Sequence, residues 1–67
     1  MDRVIRNQKN KRYLNSDGKW VRDRTRAQTF FFAEDARAFC LQFGIKSGVE
    51  GVIFYGTFET EFDLFGK

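Results

Sequence analysis

Residues 10–24 read NKRYLNSDGKWVRDR, and the reading of this run decides the fold. At its centre, Asn15-Ser16-Asp17-Gly18 has the chemistry of a type I turn followed by a left-handed glycine. Asn and Asp side chains accept local backbone hydrogen bonds, and Gly tolerates positive φ because it has no Cβ. A three-residue hairpin loop of this kind sets Asn15 opposite Lys19, Leu14 opposite Trp20, Tyr13 opposite Val21 and Arg12 opposite Arg22. Side chains alternate across a strand, so Leu14 and Trp20 share one face while Tyr13 and Val21 share the other. A two-residue loop at Asp17-Gly18 changes the partners but still leaves an aromatic on each face. Either way, a strand pair with aromatics on both sides also carries Lys11, Arg12, Lys19, Arg22 and Arg24.

Outward from the hairpin, the charged stretch Arg22 to Arg26 leads into AQTFFF, residues 27–32, which has the composition of a third, short strand with Phe30 and Phe32 on one face and Phe31 on the other. In the next run, AEDARAFCLQFG, Ala36, Phe39, Cys40 and Phe43 stand at i, i+3, i+4 and i+7 and predict a helix of about three turns. Glu34 and Asp35 complement the dipole in its first turn, Gly44 is placed to end it, and Leu41 falls off the apolar stripe. From Val52 to Phe65 the even positions run Phe54, Gly56, Phe58, Thr60, Phe62, Leu64 and the odd ones Tyr55, Thr57, Glu59, Glu61, Asp63. This two-residue period marks strand, with an apolar and an acidic face, and Gly56 marks a bulge, a bend or a split into two strands. Gly48-Val49-Glu50-Gly51 has the form of a phosphate-clamping GxxG loop, but Glu50 would repel phosphate, and it reads as a turn. Residues 1–9 are polar apart from Met1, Val4 and Ile5 and fit a flexible basic arm or a short edge strand.

The expected fold class is α+β: a small antiparallel sheet of three to four strands with one helix packed on one face, in the order β-β-(β)-α-β, forming a single domain over residues 1–67. One short helix covers only one side of such a sheet. The second side must be met by the N-terminal arm, by another copy of the chain or by a ligand, which the neighbouring arginines bias toward an anion.

With 67 residues, the chain buries only about 60% of the surface its unfolded form exposes. Nine Phe, two Tyr and one Trp show that it is built to pack. Cys40 is the single cysteine and histidine is absent, so an intrachain disulfide and the usual zinc ligand sets are ruled out, and no cofactor is expected. Cys40 lies in the apolar helix stripe and reads as core. The row Glu59, Glu61, Asp63 fits a hard-cation site, a solvated strand face or a strand drawn to the basic hairpin. With no companion His, Lys cluster or phosphate loop, it does not make a catalytic constellation, and the chain is not expected to be an enzyme. The sequence has no apolar run near the roughly 20 residues of a membrane span and no signal-peptide core, so the expectation is a soluble cytoplasmic protein without a membrane partner.

Charge is unevenly spread. Residues 1–26 hold nine basic and three acidic side chains, whereas residues 27–67 hold three basic and six acidic. The two halves can attract each other within a shared sheet, or the basic half can present an anion-binding face. In the second case Arg12, Lys19, Arg22, Arg24 and Arg26 contact phosphate or base edges of DNA or RNA, with Tyr13 or Trp20 stacking on bases. The alternative is a protein-interaction or regulatory module that docks on another protein or on its own copy through exposed aromatics and a sheet edge. The pattern GKWVRDR followed by FAEDARAF, within roughly residues 17–40, is faintly similar to plant ethylene-response-factor domains and phage-integrase arm-binding domains. That likeness implies a DNA-reading strand bearing Trp and Arg, with an Ala-rich helix behind the sheet.

Overall fold

The computed structural model describes residues 2–65; the first residue of the expected arm and the last two of the 1–67 domain lie outside them. The described chain forms one antiparallel sheet in the order β3-β2-β1-β4-β5. Its strands are β1 (Asp2–Asn7), β2 (Tyr13–Leu14), β3 (Trp20–Val21), β4 (Val49–Tyr55) and β5 (Phe58–Phe62), and one helix, α1 (Ala33–Gln42), packs on one face. The α+β class is the expected one. The five strands and their order differ from the sequence reading in three places.

The first is the N-terminus, which is neither an arm nor an edge strand. β1 is the centre of the sheet: Arg6 pairs with Tyr13 of β2, and every residue from Asp2 to Asn7 pairs with β4, from Asp2↔Phe54 to Asn7↔Val49. The strand escapes a hydropathy reading because it buries just two apolar side chains, Val4 and Ile5, one on each face, and its third buried residue is an arginine.

The second is AQTFFF, which forms no strand. Phe30 alone bridges to Arg3, accepting from the Arg3 amide at 3.3 Å and donating to its carbonyl at 2.8 Å. The segment is squeezed between a 3-10 turn at Arg24–Arg26 and the start of α1, whose N-cap is Phe32, so it lacks the length for a ladder.

The third is the tail, where the split into two strands, one of the alternatives open at Gly56, is the one that forms. Gly56 has φ +62°, and Tyr55↔Phe58 closes a two-residue loop with glycine at its first central position, the requirement of a type II′ turn. Across such a loop, partner positions change parity: Phe54 faces Glu59 and Val52 faces Glu61. The acidic residues therefore share a sheet face with Phe54 and Val52, and the expected separation into an apolar and an acidic face holds only within β5. Of the GxxG run, only Gly48 lies in a turn, because Val49, Glu50 and Gly51 already belong to β4.

The central hairpin has the anticipated register, Tyr13↔Val21 and Leu14↔Trp20, with Gly18 at φ +79°. The Asn15 side chain accepts from the backbone N–H of Asp17 and of Lys19, both at 2.9 Å. The helix ends where Gly44 was placed to end it: Gly44 N–H donates to Leu41 O at 3.0 Å and Ile45 N–H to Cys40 O at 2.9 Å, the paired bonds of a Schellman-type stop. Between helix and sheet, Ile5, Leu14, Ala36, Cys40, Val49 and Leu64 form the core, joined by Trp20, Phe30, Phe39 and Phe62 at its margin. Phe62 lies flat over Gly51, its cross-strand partner, in space that a Cβ would fill.

Two outcomes test this topology. Removal of residues 2–7 should abolish folding, seen as loss of the far-UV circular dichroism of sheet and helix; a native spectrum would return β1 to the status of an arm. Gly51→Ala should lower stability by about 2 kcal/mol in urea titrations, because the new methyl displaces the Phe62 ring.

Candidate nucleic-acid interface

The helix-free face of the sheet is organised by Arg6. Its Nε donates to Glu50 Oε2 at 2.7 Å, Nη1 to Glu59 Oε2 at 2.6 Å and Nη2 to Glu61 Oε2 at 2.6 Å. Glu50 is directly opposite Arg6, whereas Glu61 lies in the row of Val4 and Val52, and Glu59 in the row of Asp2 and Phe54. To reach all three, the guanidinium stretches diagonally past the valine row, and both valines are buried. The second face is thus met from within the chain, by a residue of the segment expected to be an arm. The side chains of Arg6 and Glu50 are only 7% and 11% exposed. Burial alone would lower the arginine pKa, but its bonds to Glu59 and Glu50 outweigh that and raise it above the ordinary value. Lys11 Nζ stands 3.7 Å from the same Glu50 oxygen.

This arrangement decides what is left for the basic hairpin. Arg6 and Lys11 account for every ion pair among the described residues, and none involves Arg12, Lys19, Arg22, Arg24 or Arg26. Lys19, Arg22, Arg24 and Arg26 are exposed and Arg12 half-buried. The 3-10 turn is set by Asp23, whose carboxylate accepts from Thr25 Oγ1 at 2.7 Å and from Thr25 N–H at 3.0 Å. These bonds, the hydroxyl's first, hold the Asp23 pKa below the usual carboxylate value. The acid thereby fixes the turn that presents Arg24 and Arg26. Arg24 lies with its guanidinium carbon 4.2 Å from the centre of the Phe54 ring, a cation–π contact on the helix-free face. Beside it, Asp2, Val4, Arg24, Thr25, Thr29 and Phe54 line a cavity of about 290 Å³.

The two aromatics expected to stack on bases are on opposite faces. Trp20 is packed against the helix-side core, and Tyr13 is half-buried on the other face, its ring centre 6.3 Å from that of Phe54. The structure therefore brings Tyr13 and Arg24 together around Phe54 and sets Trp20 apart. Sequence reasoning passed over Arg6, Glu50 and Phe54. The signal was the pair of motifs Val4-Ile5-Arg6 and Val49-Glu50-Gly51-Val52, each a single charge embedded in strand-forming residues.

Cys40 is buried within the core, and desolvation pushes its thiol up to about 11. Glu59 and Glu61 converge on a guanidinium, which occupies the position a hard cation would need. Among the described residues no helix is long and apolar enough to cross a membrane.

Comparison with known proteins found no match: no protein-family model, no curated protein and no solved structure is similar to this chain.

The site yields two predictions. Arg6→Met should cost about 3 kcal/mol because Glu50 is left buried without its partner, and adding Glu50→Leu should restore part of that loss; a double-mutant cycle in urea measures both. For Cys40, the folded pKa lies above the unfolded value of 9.0, so the native state binds more protons at intermediate pH. Its contribution to stability should be intact below pH 9.0 and lost by about pH 11, and Cys40→Ala should flatten that part of the stability–pH curve.

Proposed function

We propose that this protein is a non-enzymatic cytoplasmic module that binds nucleic acid through the sugar–phosphate backbone, using Arg12, Lys19, Arg22, Arg24 and Arg26. One observation carries the reading: among the described residues none of these five cations lies within 4 Å of a carboxylate, whereas Glu50, Glu59 and Glu61 are engaged by Arg6 and Lys11, and Asp23, whose charge Arg24 and Arg26 feel, is bonded to Thr25. Attraction between the two halves is thus met by Arg6 on β1 and by Lys11 at the start of the hairpin, and the charge of Arg12, Lys19, Arg22, Arg24 and Arg26 is left to meet an external anion. Arginine suits the role, because its planar fork matches phosphate oxygens in pairs.

Trp20 has a packing role, so the reading rests on charge and turn geometry, with Tyr13, Phe54 and Arg24 as the aromatic neighbourhood on the side a strand of bases could approach.

The test is anisotropy of labelled duplex and single-stranded oligonucleotides across a salt series. Five neutralised phosphates give a slope of about −4.5 for duplex DNA, so affinity should fall about 500-fold between about 50 and 200 mM salt. Arg22→Ala with Arg24→Ala and Arg26→Ala should reduce the slope by about 2.7 while the circular dichroism stays native. Unchanged affinity in that folded triple variant, or binding indifferent to salt, would remove the proposal.

A further inference from the structure

The sheet has two free edges of very different kinds. β3 is two residues long, whereas β5 runs for five and has only β4 beside it. Because Tyr55↔Phe58 closes a two-residue loop, the inter-strand bonds pass through the backbone of Phe58, Thr60 and Phe62. The peptide groups of Glu59 and Glu61 then point away from β4. They offer unpaired donors and acceptors at alternate residues, the arrangement that an added strand requires.

The side chains beside this edge state what the added strand should carry. Glu59 and Glu61 are 39% and 56% exposed and reach Arg6 through Oε2 alone, leaving Oε1 of each without a hydrogen-bond partner among the described residues. Three carboxylates share one guanidinium and the more distant Lys11, so the local balance stays negative. On the opposite face of β5, Phe58 is 66% exposed and stacks on Tyr55 with ring centres 5.7 Å apart. A second copy is a poor occupant: antiparallel pairing of two β5 strands about Thr60 sets glutamate against glutamate, and like charges directly opposed destabilise a ladder.

We infer that the β5 edge captures an extended segment of another protein in which lysine or arginine alternates with apolar residues. Its backbone bonds to Glu59 and Glu61, its basic side chains fall on the glutamate face, and its apolar ones lie beside Phe58 and Phe62. This site is at the other end of the sheet from the basic hairpin and stands or falls independently of the nucleic-acid reading.

The experiment follows backbone amide exchange by NMR on the full chain, titrated with a capped Lys-Val-Lys-Val-Lys peptide at about 50 mM salt, where exposed charges are weakly screened. The Glu59 and Glu61 amides should exchange at least about tenfold more slowly at saturation, as newly bonded groups do. The same peptide methylated on its lysine backbone nitrogens should bind about tenfold more weakly, because it loses the bonds to the edge. A peptide with glutamate in place of lysine should not bind. Three results would overturn the inference: equal binding of the methylated peptide, meaning ionic attraction alone; protection confined to other strands, or none; or protection of Glu59 and Glu61 that rises with protein concentration without peptide, meaning that a second copy takes the edge. All of these controls leave the protein sequence intact, so none can fail through misfolding.

Discussion

A single guanidinium joins the three longest strands of this sheet. Arg6 on β1 bonds Glu50 on β4 and both Glu59 and Glu61 on β5. Burying a charge is costly unless it is paired and hydrogen-bonded, and here each of the three guanidinium nitrogens donates to a carboxylate. The remainder of the helix-free face follows from that requirement. Val4 and Val52 are buried on a face that carries no α-helix, with the Arg6 side chain and the Arg24–Arg26 turn lying over it, so a chain with one α-helix forms a sheet apolar on both sides.

The same interaction separates the molecule electrically. By drawing the carboxylates of β4 and β5 toward the centre of the sheet, Arg6 leaves the hairpin arginines at one side without acid partners and the glutamate-bearing edge at the other. A net charge of +3 conceals two surfaces of opposite sign. On the proposed reading, polyanions and basic strands are the respective complements, and each is repelled from the other's site.

What could be read in the sequence was whatever local chemistry dictates. The Asn15-Ser16-Asp17-Gly18 loop fixed its own register because side-chain and backbone bonds within four residues decide it. The helix from Ala33 and its stop at Gly44 were legible for the same reason. β1 was not, since its identity depends on a partner strand more than forty positions away and its deciding residue is charged. AQTFFF had strand composition without the room to pair. In the tail, the two-residue period left a bulge, a bend and a split into two strands all open at Gly56, and the turn there shows that two strands meet with their alternation reversed. Of the candidate interface, the cations were legible and their freedom from partners was not, because that freedom depends on where Glu50, Glu59 and Glu61 find their counter-charge.

The placement of β1 also has a kinetic meaning. The hairpin and the helix are short-range structures that can form on their own timescales, but the centre of the sheet closes only when β1 meets β4, and the Arg6 bonds span sequence separations of 44 to 55 residues. Closing loops that long costs entropy before any ladder bond repays it. The pairing of β1 with β4 is therefore the long-range step of assembly, joining the local β1–β2 hairpin to the β4–β5 hairpin, and β1 is the strand whose departure would open the protein from its middle.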